Sequence, residues 1–189
     1  MSLLRPATAA PGGAGGAPVE VQLCTFRVSG EDFAIDIMRV REVIPPAPLT
    51  PVPSAPAHVI GVFRLRGDVI PVVDLARRLG LPAGPPSRRA KFIVVRVAGR
   101  LLGLQVDEVR EVMRLAREEL RPAPASIDAR GARLFLGVCG GERAQGGAGR
   151  RAGGGRLRLL LNVKALLEPT PLEGFESARA LLAAGEPGP

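Results

Sequence analysis

FRVSGEDFAIDIMRVREV, residues 26–43, and VRVAGRLLGLQVDEVREV, residues 95–112, align without a gap. Arg27, Val28 and Gly30 fall on Arg96, Val97 and Gly99. Val40-Arg41-Glu42-Val43 falls on Val109-Arg110-Glu111-Val112. A weaker echo follows each copy. Gly61-Val62 answers to Gly137-Val138, and PVVDLARRL (71–79) to LLLNVKALL (159–167), which sets Asp74 on Asn162 and Leu79 on Leu167. One repeat is about 70 residues, too long for a solenoid unit but the size of a duplicated small barrel. The repeat predicts two similar all-β subdomains.

The local signals agree. VQLCTFRV and DFAIDIMRV read as strands, with a hairpin signal at Ser29-Gly30-Glu31 between them. Ile35 and Ile37, and their counterparts Leu104 and Val106, alternate at strand period and are expected in the core. PPAPLTPVPSAPAHV cannot be a helix interior or a central strand, because proline lacks an N–H; it is expected as an extended loop or edge segment. VIGVFRL and DVIPVVDL read as buried strands joined by a tight turn at Arg66-Gly67. ARRLGL allows one turn of helix, stopped by Gly80 and Pro82. The expected organisation is a disordered tail at 1–18, a folded region at 19–168 with a flexible Gly/Arg loop at 140–156, and a C-terminal helix and tail at 169–189.

Composition narrows the chemistry. Aromatics are 3% of the chain, with no Trp and no Tyr, so the core must be built from Val, Leu and Ile with a few Phe. Branched side chains suit a pleated sheet. The formal charge is +8, carried almost wholly by arginine, since Lys91 and Lys164 are the lysines. That charge suggests nucleic acid as one partner, through Arg143, Arg150, Arg151 and Arg156 of the loop. The arginines are scattered, however, and no aromatics are interleaved to stack on bases. Cys24 and Cys139 sit in apolar runs and read as small buried hydrophobes. His58 is the one histidine, in a Pro-rich stretch where it reads as a surface residue, and no metal-ligand spacing occurs. No G-x-S-x-G elbow or Walker-type loop is present. The acidic neighbours Asp107/Glu108 and Glu118/Glu119 do not converge as a dyad, because strand neighbours point to opposite faces. No enzyme is indicated, and no cofactor. With no secretory h-region and no long apolar run, the expected location is the cytoplasm.

Four stretches carry a resemblance to a family: FRVSGEDFAIDIMRVREV, TPVPSAPAHVIGVFRLRGDVIPVVDL, GLQVDEVREVMRLAREELRPAP and LRLLLNVKALL, together spanning roughly residues 20 to 168. In order and spacing the chain resembles CheW, the coupling-protein (adaptor) family of bacterial chemotaxis and two-component signal transduction. The resemblance implies an all-β fold of two similar five-stranded SH3-like β-barrels, intertwined, with a short C-terminal helix. It implies a non-enzymatic scaffold that bridges the cytoplasmic tips of chemoreceptors (methyl-accepting chemotaxis proteins) to the regulatory domain of a CheA-type histidine kinase, in the cytoplasm at receptor arrays. Membrane association would be through the receptors alone.

Carried over by position, the receptor groove would be Ile37, Val40, Val43, Gly103, Val109 and Val112, with a helical receptor hairpin lying in it. The kinase-binding surface would include Gly61 and Arg64. Arg66 falls on the family arginine expected to pair with Glu42, so Arg66-Gly67-Asp68 looks architectural; an adhesion-type reading needs an extracellular protein. The chain departs from the family at Arg64, where asparagine is usual, at Lys91, where an apolar residue is usual, and in the long basic loop. Chemotaxis and another receptor–kinase pathway, such as surface motility, stay open. A nucleic-acid-binding β-barrel is the alternative to the scaffold.

Overall fold

The computed structural model describes residues 19–82, 84, 87–123, 131–140 and 156–167. The tail at 1–18, most of the 140–156 loop with Arg143, Arg150 and Arg151, and the helix expected within 169–189 lie outside the described residues.

The first copy supplies β1 (Glu20–Val28), β2 (Glu31–Asp36), β3 (Val40–Ile44), β4 (Val59–Leu65), β5 (Asp68–Asp74) and the one-turn helix α1 (Leu75–Arg78). The second supplies β6 (Lys91–Val97), β7 (Arg100–Val106), β8 (Glu108–Ala116), β9 (Phe135–Cys139) and β10 (Arg158–Leu161). Two five-stranded sheets result, ordered β8-β1-β2-β10-β9 and β3-β6-β7-β5-β4. Exchanging the copies turns one order into the other. Each sheet therefore holds one copy's hairpin and three strands of the other copy. A repeat in sequence is not a barrel in space; both barrels are built from both copies.

The exchange happens where the sequence reads as one continuous strand, DFAIDIMRV. The structure breaks that run. β2 ends at Asp36, whose carboxylate accepts the Met38 N–H at 2.9 Å, and Ile37–Arg39 forms a single 3-10 turn. The chain then enters the other sheet as β3. A side-chain acceptor two residues upstream competes with the strand ladder and starts the turn.

Three apolar clusters follow from the two sheets. The large central one lies between them and contains Phe26, Phe33, Ile35, Ile93, Leu104 and Leu159. Each sheet also curls around a small cluster of its own. In barrel 1 it is Leu23, Ala34, Met113, Leu115, Cys139 and Leu160; in barrel 2 it is Phe63, Ile70, Val72, Phe92 and Val94. Four of the six phenylalanines stack or tilt in pairs: Phe26 on Phe33 in the centre, Phe63 against Phe92 in barrel 2. β1, β2, β6 and β7 are thus covered on both faces, which explains their nearly unbroken apolar runs. Each fully buried Leu, Ile, Val or Phe contributes about 1.5–3 kcal/mol.

Polar groups tie the layers together. Arg78 of α1 is buried, and its Nε and Nη2 donate to the carbonyls of Leu166 and Ala165 at 2.9 and 3.1 Å. His58 is half-buried rather than at the surface, and its carbonyl accepts the Asp74 N–H at 2.8 Å. Burial, and then the Arg78 charge, hold its imidazole below the usual histidine range.

Three hairpins close on two-residue turns with both φ angles positive: Ser29-Gly30, Arg66-Gly67 and Ala98-Gly99. That backbone matches the strand twist. Arg66 at φ 51° and Gly67 at φ 98° are therefore a hairpin turn, not a presented ligand. Ala98, at φ 47°, has neither the freedom of glycine nor a side chain that bonds locally, so it carries strain. Ala98→Asn is expected to stabilise the protein by about 0.5–1 kcal/mol; urea unfolding midpoints of the two proteins check this, and an unchanged midpoint refutes it.

Candidate functional site

The duplicated Val-Arg-Glu-Val motifs lie on β3 and β8, the edge strands of the two sheets. In a regular strand, residues i and i+3 point to opposite faces. Here they do not. Val40 pairs with Val95 and Val43 with Ile93, so three residues of β3 span two of β6. Val109 pairs with Phe26 and Val112 with Cys24, the same count on β8. Each is a β-bulge. Because residues directly opposite share a face, all four valines end up on the side of the central cluster. Val40 and Val109 pack against that cluster, as does Ile37 at the crossover. Val43 and Val112 stay 40% and 54% exposed, and Met38 of the crossover turn is 84% exposed. The bulges thus give each edge one anchored and one presented valine.

The bulge on β8 is held by a hydroxyl. Thr25 Oγ1 donates to the Glu111 carbonyl at 3.0 Å and accepts the Glu111 N–H at 3.2 Å. Val94 occupies the equivalent place in the other copy and has no such bond to offer. Each motif glutamate instead meets an arginine of its own barrel, and Glu111 stays half-exposed. Glu42 lies across from Val94, and Arg66 Nη2 reaches its Oε2 at 3.3 Å. Glu111 is met by Arg158 Nη2 at 3.7 Å. The Glu42–Arg66 pair is exposed on the arginine side and is worth at most about 1 kcal/mol. It positions a turn rather than holding the fold.

Two residues carried over by resemblance are placed differently from the rest. Gly103 is buried, and a side chain there would meet Val72 at 3.2 Å and Phe63 at 3.5 Å. It faces the barrel 2 cluster, not the valines, so its smallness serves packing of β7. Gly61 is buried too and forms no surface. A Cβ at Gly61 would lie 2.8 Å from the Thr50 carbonyl oxygen. The glycine admits the Pro-rich segment, where Thr50 and Val62 exchange backbone bonds of 2.8 and 2.9 Å. Gly137 does the same for Arg121, which bonds Val138 in both directions. Above each glycine the strap is exposed, at Thr50 and at Arg121. Arg64 is exposed on β4, across from exposed Val69.

A charged cluster in barrel 1 has no signal in any motif. Asp32, buried, receives Arg27 at 3.2 Å, Arg110 at 3.7 Å and Arg156 at 3.8 Å. Of the loop arginines considered for nucleic acid, Arg156 is the described one, and it is turned to this carboxylate. Glu108 takes Arg89 at 2.8 Å, Asp107 accepts the Ser29 N–H at 2.6 Å, and Glu119 accepts the Ala116 N–H at 2.7 Å. These acids are engaged structurally and do not converge. Among the described residues no group of His, Cys, Asp and Glu could hold a metal ion, and no helix is long and apolar enough to cross a membrane.

Comparison with known proteins agrees with this architecture. A family model described as a CheW-like domain matches residues 22–170. "Chemotaxis protein CheW" of Rhizobium meliloti (strain 1021) is 43% identical over 103 residues, 54% of this chain and 66% of the relative. "Chemotaxis protein CheW" of Helicobacter pylori is 32% identical over 107 residues, 57% of this chain and 65% of the relative. The matched part thus spans just under two thirds of these relatives. The crystal structure of the scaffolding protein TtCheW from Thermoanaerobacter tengcongensis is similar with a TM-score of 0.67 at 26% identity, covering 79% of this chain and 94% of that one.

Two outcomes are expected. Thr25→Val leaves the Glu111 N–H and carbonyl without the hydroxyl and costs about 1–2 kcal/mol; faster hydrogen exchange at the Glu111 amide locates the loss, and unchanged exchange refutes the hydroxyl's role. Both cysteines are free and buried, and desolvation pushes the Cys139 thiol up to about 11 against a smaller opposing effect of Arg158. At pH 8 neither thiol should react with Ellman's reagent until the protein unfolds; prompt labelling of the native protein would contradict this.

Proposed function

This chain belongs to the CheW-like family, and we propose that it is a non-enzymatic coupling scaffold joining chemoreceptor cytoplasmic tips to the regulatory domain of a CheA-type histidine kinase. The observation that supports this best is the pair of bulged edges. Ile37, Val40, Val43, Val109 and Val112 are brought to one side of two different sheets, half-anchored in the core and half-presented. An apolar strip built from those two edges would suit the apolar face of a helix. Gly103 contributes from beneath, through the seating of β7. The kinase surface is proposed on the outer side of barrel 2, at Arg64 and the strap that Gly61 admits. Work would be done in the cytoplasm, at receptor arrays. Asp107, Glu108 and Glu119 each engage a structural partner, which suits a scaffold.

Isothermal titration of the protein with a receptor tip fragment and with a CheA-type regulatory domain from the same organism tests this. Saturable binding to both, weakly dependent on salt, is expected. Val40→Glu should lower receptor affinity at least about tenfold, because a charge must be desolvated in the strip, while leaving kinase binding and the circular dichroism spectrum unchanged. Unchanged receptor affinity in the folded variant removes Val40 from the site; no binding of wild type to either partner overturns the scaffold reading.

A further inference from the structure

The second sheet opens at one end. β5 and β7 run parallel and pair over 72–74 and 103–105. Pro71 has no N–H to donate, and the ladder begins one residue after it. Residues 68–71 and 100–102 are therefore paired only on their far sides, with β4 and β6. Between them lies a cleft of about 580 Å³ whose walls include Asp68, Val69, Pro71, Arg96, Arg100 and Leu101. Val69 is 61% exposed.

The internal repeat supplies a control for what this cleft lacks. Arg96 is the counterpart of Arg27. Arg27 pairs across its hairpin with Asp32, and the two side chains form an ion pair at 3.2 Å. Arg96 pairs across its hairpin with Leu101 instead. The position of Glu31 is taken by Arg100. Barrel 1 thus carries its own carboxylate at this end. Barrel 2 has exchanged two acids for a leucine and a second arginine. Neither Arg96 nor Arg100 is in an ion pair or hydrogen bond with a described residue. Asp68 is the acid among the lining residues, and it pairs with neither.

We propose that this cleft binds an extended acidic peptide segment of a partner protein. Its carboxylates meet Arg96 and Arg100, its apolar side chains lie on Val69 and Leu101, and its backbone pairs with the open strand edges. Two guanidinium groups without a carboxylate call for an anion. Two divergent strand edges beside an apolar wall call for an extended chain rather than a small ion. The inference does not rest on the receptor strip. It adjoins the proposed kinase surface, since Arg64 lies across from Val69.

The test is fluorescence anisotropy of the whole protein with a fluorescein-labelled peptide of alternating Glu and Val. Saturable binding is expected, weakened by added salt. Arg96→Glu with Arg100→Glu should reduce affinity at least about tenfold, and the Gln pair should reduce it less. Both arginines are exposed, as are Arg114 and Arg117, so Arg114→Glu with Arg117→Glu is a charge-matched control that should leave binding unchanged. Equal loss in the control overturns the proposal, as charge alone would then account for binding. Displacement by millimolar inorganic phosphate as readily as by unlabelled peptide overturns it in favour of a simple anion site. Absence of saturable binding overturns it outright.

Discussion

A strand that is apolar on both faces has to be covered on both faces, and the rest of this structure depends on that constraint. The hairpins β1–β2 and β6–β7 place Phe26, Phe33, Ile93 and Leu104 in the central cluster and Leu23, Ala34, Phe92 and Val94 in the barrel clusters. One five-stranded sheet cannot supply both covers. The second sheet supplies the central one, and the curl of each sheet supplies the other. Exchange of strands between copies then makes the barrels inseparable, because pulling them apart would break both sheets. Burial sets the scale here. A single core phenylalanine outweighs the exposed Arg66–Glu42 pair, since surface ion pairs are worth at most about 1 kcal/mol.

Rigidity at the centre is what allows the edges to present anything. β3 and β8 each have one free side, and an open edge is normally a liability. Their bulges turn two valines of each strand inward over the central cluster and leave the charged residues between them on other faces. On β8 the bulge is held by Thr25; on β3 no hydroxyl stands in that place. The two halves of the strip therefore have the same geometry and different stiffness. A bulge held only by packing opens more readily. The half contributed by β3 is the softer one.

Much of this was legible in the residues. The gapless match of 26–43 to 95–112 announces the duplication, and X-Gly turns at 29–30, 66–67 and 98–99 announce the hairpins. The Pro-rich segment was readable as an edge, and Thr50 does bridge to Val62 there. Sheet membership was not readable. Periodicity reports which residues of a strand share a face, not which sheet the strand joins, so DFAIDIMRV passed for one strand. The valine strip was hidden for a related reason: period-two alternation puts Val40 and Val43 on opposite faces until a bulge is allowed for. Gly61 and Gly103 could be singled out by position, but a glycine that makes room inward and one that makes room for a partner look alike in sequence. Only the atoms a Cβ would meet tell them apart.

Duplication followed by divergence leaves its record in the pairs that no longer match. Asp32 faces Arg27, and Leu101 faces Arg96; Arg78 stands where the other copy has Leu166, whose carbonyl it binds. The first mismatch lies at the barrel mouths; the second lies in the core, where Leu166 is fully buried. The central cluster tolerates little change, since interiors are close-packed and a lost or added methylene is felt. The turns, mouths and edges tolerate much more. In barrel 1 a buried carboxylate at the mouth, Asp32, gathers three arginines. In barrel 2 the same scaffold leaves its arginines uncommitted and its strands unzipped. A duplicated fold can therefore tie the arginines of one copy's mouth to an internal carboxylate and leave those of the other without one. The two barrels, alike in order and register, differ most where a partner could reach them.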